Sequence, residues 1–177
     1  ATDSYGIYLL ENASNSNITN NTITASGGYG VFLQSTAYKN SVYSNTITTN
    51  NTKSYGIYLN QNAYNNTIYD NNITTKNTTG SYGIYLLRNV NNNTFYRNTI
   101  SSLAIGILVN GSLQTAAQTT RFNTFTNDTI VPCTAGCADN YYDIVLTSNV
   151  TDITLLNVSF NKSRVAIVPR DPGVPTE

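Results

Sequence analysis

The stretch Tyr5-Gly6-Ile7-Tyr8-Leu9 decides the fold, because the chain repeats it. Four clear copies begin at residues 29, 55, 82 and 105, and two weaker ones occupy 142–146 and 165–169. The first five copies follow one another at intervals of 24, 26, 27 and 23 residues. A repeat of this length predicts a solenoid, in which each unit covers the apolar face of the next. Columns of equivalent residues therefore carry more information than single positions.

Each repeat contains two further apolar anchors, five residues apart. The second-strand anchors are Ile18, Val42, Ile68, Phe95, Phe125 and Ile153, and the third-strand anchors are Ile23, Ile47, Ile73, Ile100, Ile130 and Val158. Short runs of Ile, Val, Tyr, Phe and Thr between Asn, Ser and Gly are typical of β-strands. Three such strands per repeat predict an all-β fold, a parallel β-helix of about seven three-strand coils.

Polar residues recur on both sides of the second-strand anchor. The column three residues after it consists of Asn21, Asn45, Asn71, Asn98 and Asp128. The column two residues before it consists of Ser16, Asn40, Asn66, Asn93, Asn123 and Thr151. Asn tolerates left-handed turn backbone, and its amide both donates and accepts hydrogen bonds. We therefore expect an asparagine ladder from coil to coil, beside a larger stabilisation from the inward aliphatic stack.

With these features the chain resembles the right-handed parallel β-helix repeat proteins, the broad class of pectate-lyase-like and NosD-like surface proteins. The late segment 143–149 leading to 156–163 is similar to repeats of archaeal and bacterial cell-surface proteins. The resemblance implies a single-stranded right-handed coil over roughly residues 4–168. It leaves the activity open, because the class includes enzymes, binders and structural proteins.

The pattern predicts one repeat domain over residues 1–168. An insertion at about 110–141 carries Cys133 and Cys137, and residues 169–177 form a Pro-rich C-terminal tail that cannot continue a central strand. Because the chain begins with Ala directly before a repeat, we interpret Ala1 as a processing or fragment boundary.

The composition argues against several classes of partner. Nine basic and nine acidic residues balance, and the chain contains no His. No basic field is available for nucleic acid and no acidic field for cations. No apolar run reaches the ~20 residues of a membrane span. We therefore expect no nucleic-acid partner, no metal, no cofactor and no membrane span in this chain.

The two cysteines lie in the segment Pro-Cys-Thr-Ala-Gly-Cys. Gly136 permits the sharp turn of a local disulfide, and a zinc site would need two further N or S ligands. We favour a Cys133–Cys137 disulfide over free thiols. A disulfide in turn favours an extracellular or cell-surface location.

Thirteen Asn-X-Ser/Thr sequons occur, about twice the number that the composition predicts. Their asparagines are Asn12, Asn17, Asn20, Asn50, Asn65, Asn72, Asn77, Asn92, Asn110, Asn127, Asn149, Asn157 and Asn161. Part of this excess follows from a repeat that needs Asn in turns and Thr in strands. The ladder asparagines are not sequon residues, so the sequons are free to project outwards. We expect several to carry covalent N-glycans if the source organism has the machinery.

An aromatic stripe is a candidate binding surface. Side chains along a strand alternate between its two faces, so counting by twos puts Tyr5, Ile7 and Leu9 on one face and Gly6, Tyr8 and Leu10 on the other. If Ile7 and Leu9 point inwards, the outer face carries a glycine column beside Tyr8, Phe32, Tyr58 and Tyr85. A second aromatic column runs through Tyr43, Tyr69 and Tyr96. Such rings dock sugars, contact a neighbouring subunit or shield glycine backbone, and the sequence leaves these alternatives open.

Catalytic groups are sparse. Most carboxylates lie one to a coil, and only Asp139 and Asp143 fall close together, near Tyr141 and Tyr142. Without His, the chain offers no Ser/His/Asp or Cys/His arrangement. We predict that the protein is not an enzyme.

Three functional hypotheses remain. The first is an extracellular structural glycoprotein that associates with itself, by edge pairing or end stacking, into a filament or surface layer. The second is a carbohydrate-binding module or adhesin that binds polysaccharide through the aromatic stripe. The third is a polysaccharide-degrading enzyme with a degenerate site at Asp139 and Asp143.

Overall fold

The chain winds into a parallel β-solenoid with three sheets. The computed structural model describes residues 4–111, 119–147 and 149–168. The first sheet contains β1 (Ser4–Leu9), β4 (Gly28–Gln34), β7 (Tyr55–Asn60), β10 (Tyr82–Leu87), β13 (Ile105–Asn110), β17 (Tyr142–Leu146) and β20 (Val165–Ile167). The second contains β2 (Asn17–Thr19), β5 (Ser41–Tyr43), β8 (Thr67–Tyr69), β11 (Thr94–Tyr96), β15 (Thr124–Thr126) and β19 (Thr154–Leu156). The third contains β3 (Thr22–Ala25), β6 (Thr46–Thr49), β9 (Asn72–Thr75), β12 (Thr99–Ser102) and β16 (Thr129–Val131).

All strand pairs are parallel, and each joins equivalent residues of neighbouring repeats. The predicted fold class is confirmed. The sheets contain seven, six and five strands, so the coil makes about six turns, where the sequence pattern suggested about seven. Two short strands, β14 (Thr120–Arg121) and β18 (Val150–Thr151), pair beside the last turns.

Stacked aliphatic side chains fill the coil. The second-strand anchors from Val42 to Phe125 and the third-strand anchors from Ile47 to Ile130 are at most 1% exposed. The first sheet contributes two inward columns, one through Ile57 and Ile84 and one through Leu59 and Leu86. The interior is thus a continuous column of packed side chains, to which each buried aliphatic contributes about 2 kcal/mol.

The glycine column lies on the inner side of the first sheet, which corrects the predicted outward position. A Cβ atom at Gly56 would lie 2.2 Å from Ile73 Cγ2 and 2.6 Å from the carbonyl oxygen of Gly83. The neighbouring Ile57 is also fully buried. Two consecutive inward residues mean that the backbone turns a corner here. Side chains therefore do not alternate between the two faces of the strand at this point. Glycine is needed because the third-sheet isoleucine occupies the space of a side chain.

Gly56→Ala is therefore expected to lower the free energy of unfolding by about 2 kcal/mol, since the clashing carbonyl is backbone and cannot rotate away. Gly27→Ala is the matched control. A Cβ atom there would meet its nearest neighbour at 3.4 Å, an ordinary contact. Urea unfolding of both variants measures the difference, and equal midpoints would contradict the inward position of the glycine column.

Left-handed residues form columns at the turns. One column precedes the third sheet and consists of Asn20, Ser44, Asp70, Arg97, Asn127 and Asn157, with φ between 52° and 56°. Another precedes the second sheet and consists of Asn15, Lys39, Asn65, Asn92, Phe122 and Asp152, with φ between 53° and 55°. The ladder residues directly follow these positions. The expectation that the ladder asparagines themselves adopt left-handed backbone is therefore wrong.

Two hydrogen-bonded ladders run along the coil. In the first, the Asn45 Nδ2 donates to Asn71 Oδ1 at 3.0 Å, and the Asn71 Nδ2 donates to Asn98 Oδ1 at 2.9 Å. Each Oδ1 also accepts from the backbone N–H of the preceding rung, as in the 3.1 Å bond from Asn45. The second ladder repeats this geometry through Asn40, Asn66, Asn93 and Asn123. The ladders satisfy buried backbone groups at the two corners where the strands end.

The final turn follows a different register from the predicted one. Phe125 pairs with Leu155, not with Ile153. Counting from this pair places Ile153 and Val158 at the two ladder positions, where both pack against the core as partly buried side chains. Neither side chain can donate or accept a hydrogen bond, so both ladders end at this turn. Thr151, predicted as a ladder residue, instead pairs with Arg121.

The stretch 110–141 is not a single insertion. It contains β14, β15 and β16, which are regular parts of their turn. The additional residues lie on either side of these strands, and those of 132–141 carry the disulfide. The predicted Pro-rich tail, residues 169–177, lies outside the described residues.

Candidate functional site

The sequon asparagines lie on the outside of the coil. Ten of the thirteen are exposed, and the other three, Asn77, Asn110 and Asn149, are half-buried. The eight buried asparagines are all outside sequons: Asn40, Asn45, Asn60, Asn66, Asn71, Asn93, Asn98 and Asn123. The coil thus separates an inner set of asparagines, of which seven form ladders, from an outer set in the sequons that is exposed or half-buried.

The fold itself creates some of these sequons. At one corner the left-handed Asn20 is followed by the ladder residue Asn21 and then by the outward Thr22. Asn65, Asn92 and Asn127 begin the same three-residue pattern in later turns. Left-handed backbone favours Asn, and an exposed strand favours Thr. The needs of the fold therefore account for these four sequons. Other sequons, such as those of Asn50, Asn77 and Asn161, do not belong to this three-residue corner pattern.

The predicted stripe lies on the outer side of the first sheet but is largely covered. Phe32, Tyr58 and Tyr85 are only 4%, 6% and 9% exposed, whereas Tyr8 is 39% exposed. Their rings stack on one another with centroids 4.6 to 5.0 Å apart. Burial raises the pKa of Tyr58 and that of Tyr85, the latter to about 12. The ring faces of Phe32, Tyr58 and Tyr85 are stacked and buried, so a sugar ring cannot stack on them as they stand.

A third aromatic column covers this stripe. The sequence did not predict it, because strict alternation of side chains placed its tyrosines on the inner face. Tyr29, Tyr55 and Tyr82 stack at 4.7 and 5.0 Å and contact the stripe rings edge to face. The count placed these tyrosines on the same side as the buried Ile57, but they lie outside, half-buried. The phenolic hydroxyl is the signal that would have indicated an outward position, because a buried hydroxyl needs a partner.

The column Tyr43, Tyr69 and Tyr96 lies on the outer side of the second sheet. Its rings are nearly parallel, with centroids 4.7 Å apart at both steps. This distance equals the strand spacing, so the ring faces cover each other and the edges face solvent. Beside it, Arg97 forms an ion pair with Asp70 and lies 4.7 Å from the Tyr96 ring centre. The contact of Arg97 with the Asp70 carboxyl lowers the pKa of that carboxyl.

Cys133 and Cys137 form a disulfide, and the loop that they close is fixed to the last turn. The Cys133 backbone N–H donates to the Tyr141 hydroxyl at 2.9 Å, and the Arg164 guanidinium lies 4.6 Å from the centre of the Tyr141 ring. The same guanidinium donates to the Cys133 carbonyl at 3.3 Å. The disulfide loop therefore joins the end of the third sheet to the 3₁₀ turn Lys162–Arg164.

The two neighbouring carboxylates are not brought together in one site. Asp139 is exposed, in a cleft of about 410 Å³ that it shares with Gly80 and Tyr82. Asp143 is fully buried at the glycine position of its turn, and its Oδ2 accepts from the Asn161 backbone N–H at 2.5 Å. It thereby fixes the start of the final 3₁₀ turn. Because Asp143 is fully buried and only Asp139 lines the cleft, the two carboxyl groups do not face a common substrate-sized space.

Asp128 is the one carboxylate in a ladder among the described residues. Its Oδ1 accepts from the Asn98 backbone N–H and side-chain amide at 2.8 and 2.9 Å. Its Oδ2 is buried and has no hydrogen-bond partner within the described part of the chain. Burial raises the pKa of the Asp128 carboxyl to about 6. The first ladder therefore ends at a buried carboxyl group whose charged form is disfavoured.

Within residues 4–111, 119–147 and 149–168, no three His, Cys, Asp or Glu side chains are grouped so that they could hold a metal ion. No helix in these ranges is long and apolar enough to cross a membrane.

The arrangement of strands defines the class of the protein as a parallel β-solenoid. The model of the family described as right handed beta helix region matches residues 1–100, more than half of the 177 residues. The chain belongs to this right-handed β-helix family. No curated protein and no solved structure matches it. Family membership defines the fold and leaves the function to be argued from the surface.

Proposed function

We propose that this chain is a non-enzymatic structural domain of an extracellular or cell-surface glycoprotein, which assembles with itself into a filament or surface layer. The observation that carries the proposal is the separation of asparagines, with seven of the eight buried ones in ladders and all thirteen sequon asparagines exposed or half-buried. N-glycans attached there would lie on the outside of the coil without disturbing its interior.

The interior supports a structural role. Aliphatic side chains that are 0% exposed fill the coil from Val31 to Ile144, and the two ladders add a hydrogen bond at each step. The stability of such a coil is the sum of many equivalent contacts between neighbouring repeats. The disulfide loop supports an extracytoplasmic location, because such bonds persist in oxidising compartments.

Two measurements on material from the native source test the proposal. Mass spectrometry of intact glycopeptides is expected to find hexose-containing glycans on several sequon asparagines and none on Asn45, Asn71 or Asn98. Electron microscopy of unreduced cell-surface material is expected to show regular filaments or a lattice. Unmodified sequons would remove the glycoprotein part of the proposal, and isolated short rods would remove the assembly part.

A further inference from the structure

We infer that the outer side of the first sheet, here called the aromatic face, is the lateral interface through which two copies of this chain pair. The inference rests on the proposed self-assembly and assigns it a surface. Three features distinguish this face from the outer sides of the other two sheets: its apolar character, the positions of the sequons and its area.

The first feature is chemical. The aromatic face presents the half-buried Tyr29, Tyr55 and Tyr82, followed along the same column by Ile105 and Tyr142. At its N-terminal edge Tyr5, Tyr8 and Leu10 are 37%, 39% and 41% exposed. The outer sides of the second and third sheets present mainly Thr and Ser beside one tyrosine column. The face also carries tyrosine hydroxyls and, along one edge, Gln34, Asn60 and Asn110 beside Leu87. Ring and aliphatic carbon nevertheless form most of its surface, and such a large apolar patch indicates a partner.

The second feature is the position of the sequons. Asn17 and Asn72 belong to strands of the second and third sheets, and Asn20, Asn65 and Asn92 lie at the corners beside them. The strands of the first sheet contain one sequon asparagine, Asn110, at the end of β13 and therefore at the rim of the face. Glycans on these residues would prevent close packing on two sides of the coil and leave the aromatic face open.

The third feature is the area. Seven strands at ~4.8 Å spacing and six residues at ~3.3 Å give a face of about 34 by 20 Å. Two copies would then bury roughly 1,350 Å², within the usual range for specific protein interfaces. The occupant that fits is a second copy, related by a two-fold axis, because its face has the same length and the same ring spacing. In the described strands of this sheet the only charged residue is the buried Asp143, so no charge pattern selects a different partner.

A pair of charge variants tests the interface in the full chain. Tyr82→Glu with Ile105→Glu places two carboxylates on the aromatic face, and Thr74→Glu with Ser101→Glu places two on the third sheet. All four positions are half-buried. Sedimentation velocity over a range of concentrations is expected to show a dissociation constant at least about tenfold higher for the face variant, while the control associates as the unmodified chain does.

A cysteine variant keeps the test decisive if the charged variant fails to fold. Leu87 is half-buried at the edge of the same face, and Leu87→Cys is expected to form an intermolecular disulfide under mild oxidation, whereas Ser101→Cys is not. Oligomers that persist in the folded charge variant, or cross-linking at residue 101 alone, would overturn the lateral interface and leave self-assembly intact. An unmodified chain that stays monomeric at every concentration would overturn both.

Discussion

Asn71→Ala is expected to lower the free energy of unfolding by about 5 kcal/mol, because it removes four hydrogen bonds and leaves buried polar groups without partners. The Asn71 Nδ2 donates to Asn98 Oδ1 and to the Val42 carbonyl, both at 2.9 Å. The Asn71 Oδ1 accepts from the Asn45 side-chain amide and backbone N–H at 3.0 and 3.1 Å. Alanine replaces none of these contacts, and water does not reach a position that is 2% exposed.

Chemical unfolding followed by circular dichroism measures this loss. Asn51→Ala is the control, because it makes the same substitution at an exposed position whose amide oxygen accepts only a local bond from Thr52 among the described contacts. We expect it to change stability by less than about 0.5 kcal/mol. If both variants unfold at the same denaturant concentration, the ladder does not stabilise the coil and the inner asparagines need another explanation.

The sequence was sufficient to predict the ladder because its spacing does not vary. Residues of the first ladder lie three positions after an anchor from Ile18 to Phe125, and residues of the second lie two positions before one. The left-handed turn that precedes each ladder residue has the same length in each repeat. Variable loops before the first-sheet strands do not affect this short unit. The same constancy allowed the three-strand coil and its parallel pairing to be predicted.

The last turn could not be predicted in the same way because two frames fit its sequence. Ile153 and Val158 are five residues apart, as anchors are, and so are Leu155 and Phe160. The structure selects the second frame, in which the left-handed Asp152 and Asn157 align with Phe122 and Asn127. Leu155 is 36% exposed in this last described turn, so burial distinguishes the two frames only weakly. Turn geometry decides the register there.

The candidate surface was predicted only in part. Repetition revealed the aromatic columns, but a count of every second residue assumes a straight strand. Between Gly56 and Ile57 the backbone turns, so Tyr55 lies outside although the count placed it with Ile57. The inward glycine and the outward tyrosine are two consequences of one corner, and this corner creates the aromatic face.

Asp128→Asn is expected to stabilise the protein by about 3 kcal/mol at pH 7. The pKa of the Asp128 carboxyl is about 6 in the folded chain, against an ordinary value of 3.8, and burial is the main cause. Between these two values the folded chain retains a proton that the unfolded chain has released. The free energy of unfolding therefore falls as pH rises from about 4 to about 6, by roughly 1.4 kcal/mol for each unit of pKa shift.

An asparagine at this position restores the missing rung. In the preceding turn, the Asn98 Nδ2 donates to the Ile68 carbonyl at 3.0 Å, and strand pairing makes Phe95 the equivalent residue for position 128. The Asp128 Oδ2 presents an acceptor where this donor is needed. An amide nitrogen donates at every pH, whereas the carboxyl group donates only when protonated. The two proteins should therefore be nearly equal in stability at pH 4 and diverge above pH 6.

Thermal unfolding of both proteins from pH 4 to pH 8 tests this argument, with Asn98→Asp as the reverse substitution. That variant places a carboxylate one rung earlier, at a position that is 1% exposed, and should lose stability with rising pH. Parallel stability curves for the three proteins would show that residue 128 is ionised without cost. Divergence would show that the first ladder ends at its weakest rung, because the next turn places the apolar Val158 where the next ladder side chain would stand.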